Sequence, residues 1–171
     1  MTTAESLGVP GSLTSHARSI AVFFLFAMPD ESFAAHSAER AISALKASNL
    51  ARAEGRPARV RLVQLCKRRY QIEVASWRRD RGDRVREAAA PAAGQTVGLW
   101  RFPSDANVSA WLKFRKDTGE DELLALIFSR ILKLSDDEVA EGLAISSGTL
   151  RHRLGRAARS LGHATVRSRS A

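Results

Sequence analysis

The sequence predicts an all-α protein: two small helical domains joined by a linker, the C-terminal domain a helix-turn-helix. Three observations carry this. Apolar residues recur at steps of three and four in several segments. No stretch of useful length alternates in the manner of a strand. The helical pattern lapses once, near the middle, where Ala88-Ala89-Ala90-Pro91-Ala92-Ala93-Gly94 has no apolar period. At 171 residues the chain has room for one ordinary domain or two small ones.

Residues 1–12 mix Gly, Pro, Ser and Thr and read as a loose terminus. Ser15 to Met28 is apolar and long enough for a buried helix, which Pro29 ends because it lacks an N–H and crowds the preceding turn. A second helix is expected from Ser32 to Ser48, with Ala34, Ala38, Ala41, Ile42 and Leu45 on one face. Asn49 to Pro57 holds Gly55 and Pro57 and reads as a loop. Ala58 to Arg79 makes the strongest amphipathic pattern of the first domain. Val63, Cys66, Tyr70, Val74 and Trp77 recur at helical steps, and Leu62 widens that face. Leu65 and Ile72 lie off it, placed to meet another helix. The first domain is therefore set at residues 13–86.

Residues 87–104 form the linker, with Trp100 and Phe102 as aromatic anchors that dock it onto a neighbouring domain. The second domain, residues 105–171, resumes the helical pattern. Leu123, Leu124, Ile127, Ile131 and Leu134 make a stripe within Gly119 to Leu134. Ser135-Asp136-Asp137-Glu138 is a capping box, and its acids suit the positive end of the helix dipole. It opens a short helix, Asp136 to Leu143, with Val139 and Leu143 inward and Ala140 small where a second helix crosses. Ala144-Ile145-Ser146 supplies the turn, and Ser146 caps a helix running from Ser147 to about Leu161 that buries Leu150, Leu154, Ala157 and Leu161. Its other faces present Arg151, His152, Arg153, Arg156 and Arg159.

An acid-capped short helix, a tight turn and an arginine-faced helix have the physical design of a helix-turn-helix, whose second helix enters the major groove. The candidate DNA contacts are then Ser146, Ser147, Thr149, Arg151, His152, Arg153, Arg156 and Arg159. Those in the first two turns are placed for base edges, and Arg159 is placed for the phosphate backbone.

Charge points the same way. The chain carries 27 Lys and Arg against 18 Asp and Glu, a net of +9. It is unevenly spread: Asn49 to Ala90 is basic, Ser104 to Ile145 is acidic, and Ser146 to Ala171 holds six Arg and no acid. Two basic segments flanking an acidic one suggest two contacts with a polyanion.

The run Leu132-Lys133-Leu134-Ser135-Asp136-Asp137-Glu138-Val139-Ala140-Glu141-Gly142-Leu143-Ala144-Ile145-Ser146-Ser147-Gly148-Thr149-Leu150-Arg151-His152-Arg153-Leu154-Gly155-Arg156-Ala157 resembles region four of bacterial RNA polymerase sigma factors, the extracytoplasmic-function (ECF) group above all. The resemblance spans about Leu13 to Leu161. Arg61 to Arg81 is similar to the helix that meets the promoter −10 element in that family, which makes Arg68, Arg69, Arg78 and Arg79 candidate DNA contacts. Asn49 to Pro57 falls where the family places its strand-melting loop, and Ser32 to Lys46 takes the place of the helix that binds the polymerase clamp. There Ala35 and His36 stand where the family usually has acidic residues. The resemblance implies a transcription initiation factor that reads the −35 element with its helix-turn-helix. Its partners would be promoter DNA, RNA polymerase core enzyme and an anti-sigma factor.

Two other readings stay open: a LuxR-like DNA-binding regulator acting without polymerase, and a sigma mimic that binds an anti-sigma protein. Enzymatic chemistry finds no support. The single Cys66 excludes a disulfide framework and a cysteine zinc cluster, and His16, His36, His152 and His163 have no metal-like spacing. No GxxxxGK phosphate loop is present, and no strand precedes Ser146-Ser147-Gly148 to make a nucleophile elbow. No cofactor or metal is expected. The longest apolar run, Ile20 to Met28, is too short to span a bilayer, so a cytoplasmic protein without membrane insertion is expected.

Overall fold

The computed structural model describes residues 11–28, 31–48, 54–84 and 108–169, and every regular element in them is helical. In chain order these are α1 (Gly11–Ala27), α2 (Glu31–Lys46), α3 (Gly55–Arg84), α4 (Val108–Asp117), α5 (Glu120–Leu126), a π-helical turn (Ile127–Ile131), α6 (Asp136–Leu143) and α7 (Ser147–Arg169). The all-α expectation is met. The terminus before Gly11, the first part of the segment read as a loop (residues 49–53) and the linker with Trp100 and Phe102 lie outside the described residues.

Several boundaries differ from the sequence expectation. Helix α1 starts at Gly11, earlier than Ser15. Helix α3 starts at Gly55, inside the segment read as a loop. Gly55 has φ 72°, a left-handed value that glycine adopts without strain, and Pro57 falls in the first turn, where a missing N–H breaks no helical bond. The Gly and Pro taken as loop residues are the start signal of a 30-residue helix. The helix expected over Gly119 to Leu134 is divided: α5 ends at Leu126, and the chain passes into the π turn before Lys133 reverses it with φ 56°. Helix α7 continues to Arg169, well past Leu161.

The buried faces follow the periodicity. Ala34, Ala38, Ala41 and Leu45 of α2 are buried, as are Leu62, Val63, Cys66, Tyr70 and Val74 of α3. Burial pushes the Cys66 thiol far up, so it is an inert core side chain. It also pushes the Tyr70 hydroxyl up to about 12, with a smaller push from the charge of Glu120. Ile72 was expected to meet another helix and instead is 47% exposed, while Leu65 is partly buried against the core.

Residues from both halves of the chain share one hydrophobic core. Phe23 of α1 is its centre. Its ring stacks on Phe128 of the π turn at 4.9 Å and meets Phe24 and Tyr70 edge-on at 5.1 and 6.2 Å. Helix α4 closes the end of α1. The carbonyls of Phe26 and Met28 lie where a helix runs out of N–H donors, and Trp111 Nε1 (3.1 Å) and the Arg115 guanidinium donate to them. A cation there also suits the negative end of the helix dipole.

The first helix of the expected helix-turn-helix, α6, lies against α3. Their approach is set by Gly142: a Cβ on it would come within 2.5 Å of Val63 Cβ and 3.1 Å of the Val60 carbonyl oxygen. No larger residue fits that crossing unless the helices move apart.

Candidate nucleic-acid interface

The segment Ser135 to Leu161 folds as its sequence signals direct. Ser135 is the N-cap of α6, and the box is reciprocal: Glu138 N–H donates to Ser135 Oγ (3.4 Å) and Ser135 N–H donates to Glu138 Oε2 (3.0 Å). Helix α6 ends at Ala144, left-handed at φ 58°, where its N–H returns to the Glu141 carbonyl (3.1 Å) and Ile145 N–H to that of Ala140 (2.9 Å). Two residues later Ser146 Oγ accepts from Thr149 N–H (3.0 Å) and caps α7. Leu150, Leu154 and Ala157 are buried beneath α7, so its opposite side is fixed toward solvent. The two helices and the tight turn form the expected helix-turn-helix.

The candidate residues on α7 divide into two groups. Ser146, Thr149, Arg151, His152 and Arg159 are exposed and Ser147 is half-exposed. Arg151 Nε donates to the nearby Ser147 carbonyl (3.4 Å), within its own helix. Arg153 and Arg156 are engaged elsewhere: Arg153 pairs with Asp121 (2.6 Å) and Arg156 with Glu122 (3.0 Å), both in the first turn of α5. The Arg153 side chain is only 21% exposed. These two arginines fasten α7 to α5.

On α3, Arg68, Arg78 and Arg79 are exposed and Arg69 is half-buried, and none has an ion pair among the described residues. With Arg61 and Ile72, Arg68 and Arg79 fall at helical steps on one side of α3. Arg56, Arg59, Val60, Val63 and Lys67 occupy the other side, against α6. The basic side of α3 is thus left open by the packing that joins the halves.

The acidic segment does something that charge counting could not show. It forms ion pairs with both basic segments. Besides the two pairs of α5 with α7, Glu138 pairs with Arg59 (2.5 Å) and Glu141 with Arg56 (2.9 Å), while Lys67 Nζ donates to the Leu143 carbonyl (3.1 Å). Glu138 is the focus: it is 5% exposed and serves the capping box and the Arg59 pair at once. Burial alone raises its pKa, but the hydrogen bonds from Arg59 and Ser135 and the charge of Arg59 outweigh that and hold the carboxyl below its usual value. Sequence reasoning missed Arg56, Arg59, Lys67, Asp121 and Glu122. The only signal available was opposite charge at long separation, which does not name partners.

Among the described residues no cluster of His, Cys, Asp and Glu has the makings of a metal site, and no helix is long and apolar enough to cross a membrane.

No protein-family model matches the chain, and no curated protein matches it in sequence. A solved structure is similar in fold. It is the sigma factor RpoE of Bartonella quintana, in complex with the anti-sigma factor NepR, at 17% identity and a TM-score of 0.56. The likeness covers 90% of this chain and 93% of that one. The chain therefore has a sigma-factor-like fold.

Proposed function

We propose that this chain acts as an RNA polymerase sigma factor of the ECF kind, a cytoplasmic, non-enzymatic initiation factor that binds core enzyme and recognises promoter DNA. The observation that carries the reading is the capped helix-turn-helix at the end of a sigma-like fold. Its hydroxyls, arginines and imidazole at Ser146, Ser147, Thr149, Arg151, His152 and Arg159 face away from the core. In this reading α7 enters the major groove at the −35 element, and Arg68 and Arg79 on the open side of α3, together with Arg69 and Arg78, meet the −10 element. The chain divides for these tasks into residues 13–86 and 105–171, joined by 87–104. In vitro transcription with core enzyme on a genomic fragment library tests the reading: start sites that appear only when the chain is added support it. Failure to bind core in a pull-down refutes it.

A second reading has its own support. Arg153 and Arg156 are held by α5, Ala35 and His36 replace the acids usual in the clamp helix, and the similar RpoE was solved with an anti-sigma factor bound. A mimic that binds an anti-sigma protein would need neither core nor DNA. Salt dependence separates the two: for roughly six phosphate contacts, DNA affinity falls about a thousandfold between about 50 and 200 mM salt. A mimic shows no measurable DNA affinity at the lower concentration.

A further inference from the structure

A cleft of about 760 Å³ lies where the two halves meet. It is lined by Ser15, His16 and Ser19 of α1, by Glu54, Arg59 and the first turn of α3, and by Lys133, Ser135 and Glu138 of the second half. That volume is typical of a small-molecule site. Its lining sets two cations, Arg59 and Lys133, among serine hydroxyls and the apolar Leu62, Leu132 and Leu134. Both carboxylate oxygens of Glu138 are already engaged, one by Arg59 Nε and the other by Ser135 N–H. Arg59 keeps its two Nη groups, and Lys133 has no ion pair among the described residues. Helix α3, 30 residues long, brings the positive end of its dipole to the cleft at Gly55. Glu54 is the one acid left to oppose these groups.

The second observation is independent. His16 is nine-tenths buried, and its Nδ1 has no hydrogen-bond partner among the described residues. Buried polar atoms are rarely left so, and one beside this cleft needs a partner that the described residues do not supply. The two edges of an imidazole are alike in shape, so turning the ring over offers the nitrogen the other edge without repacking.

We propose that this cleft is a binding site for a small oxyanion, held by Lys133, Arg59 and the start of α3, with His16 beside it. Because α1 and α3 belong to the first half and Lys133 to the second, the anion ties the halves together. A phosphate ester and a carboxylate share the chemistry required, and two probes separate them.

The full chain, with histidine nitrogens labelled for NMR, is titrated with inorganic phosphate and separately with malonate. Chloride holds the ionic strength constant. His16 signals, identified by their loss in His16→Gln, are expected to shift saturably in at least one arm, while those of His36 on α2 stay still. Response to phosphate alone assigns the phosphate class, to malonate alone the carboxylate class, and to both a general oxyanion site. Lys133→Gln should weaken the response at least tenfold and Lys133→Arg should largely restore it, with unchanged circular dichroism in both. The proposal is overturned if His16 does not move in either arm, or if Lys133→Gln titrates like the unsubstituted chain. It is also overturned if the shifts are confined to His152, which would put the anion on α7.

Discussion

At the scale of single residues, the arginines of α7 have unlike duties. Arg151 is exposed near the start of the helix, where a groove-bound helix meets base edges. Arg151→Ala is expected to lose about 1–3 kcal/mol on the preferred duplex and much less on a scrambled one, by fluorescence anisotropy at fixed salt. Arg153→Ala breaks the pair with Asp121, so its effect should show in the urea midpoint more than in sequence preference. Equal discrimination losses for the two would contradict this division. Periodicity made the exposed residues legible, since it shows which positions face away from Leu150 and Leu154. It could not separate Arg153 from Arg151, because the difference lies in Asp121, some thirty residues away and brought near only by the fold. Glu138 supplies a pH test. Its carboxyl is held below its usual value when folded, so as pH falls the unfolded chain takes up the proton first. The stability it contributes is present above the ordinary carboxylate pKa and is lost as pH drops through that value toward the folded one. In urea titrations from pH 6 to 3, the advantage of the unsubstituted chain over Glu138→Gln should shrink steadily; a constant difference would show that the carboxylate charge contributes nothing.

At the scale of elements, helix signals that rest on neighbouring residues are legible in the sequence and those that depend on context are not. The capping box at Ser135 and the Ser146 cap were legible because their partners lie three residues away. Gly55 and Pro57 are ambiguous in sequence because the same pair punctuates loops and opens helices, and here they open α3. The π turn had no legible cause: Ile127 to Ile131 carries the apolar stripe of an ordinary helix. Gly142 shows how a helix can be built around its neighbour. In the middle of an isolated helix Ala would be about 1 kcal/mol better than Gly. Here the new methyl meets Val63 and the Val60 carbonyl, and overpacking of that kind costs about 1–3 kcal/mol. Gly142→Ala should therefore destabilise in thermal melts despite its better propensity, and Val63→Ala in the same chain should not restore the loss, because the Val63 Cβ and the Val60 carbonyl that the new methyl meets both remain. A stabilised Gly142→Ala would mean that α3 and α6 are not in contact in solution.

Taken whole, the molecule is tied together by its acidic middle. Four of its acids, Asp121, Glu122, Glu138 and Glu141, pair with arginines of the two basic segments on either side. Net charge by segment suggested two surfaces for a polyanion, and part of that charge is instead consumed inside the fold. The exposed Arg56–Glu141 pair is worth at most about 1 kcal/mol. The shared core around Phe23 is what joins the halves, and the sequence could not reveal it, because periodicity says which face of a helix is buried but not against what. Unfolding should accordingly be one transition, with tryptophan fluorescence and far-ultraviolet circular dichroism giving the same urea midpoint. Two separated midpoints would mean that the halves fold on their own cores.

The end of α1 also has a consequence in time. Its closing carbonyls are bonded by side chains 85 and 87 positions further along, and Phe23 stacks on Phe128. Synthesis proceeds from the N-terminus at about 5–20 residues per second, so roughly 5–20 s separate the appearance of Phe23 and Phe24 from that of the residues that cover them. In that interval α1 can pack only on α2 and α3, and its face toward α4 and the π turn stays uncovered, a state prone to capture by chaperones or by other nascent chains. Ribosome-stalled chains ending at residue 86 should be cut readily by protease within α1, whereas chains long enough to expose α4 and the π turn outside the ribosome should resist.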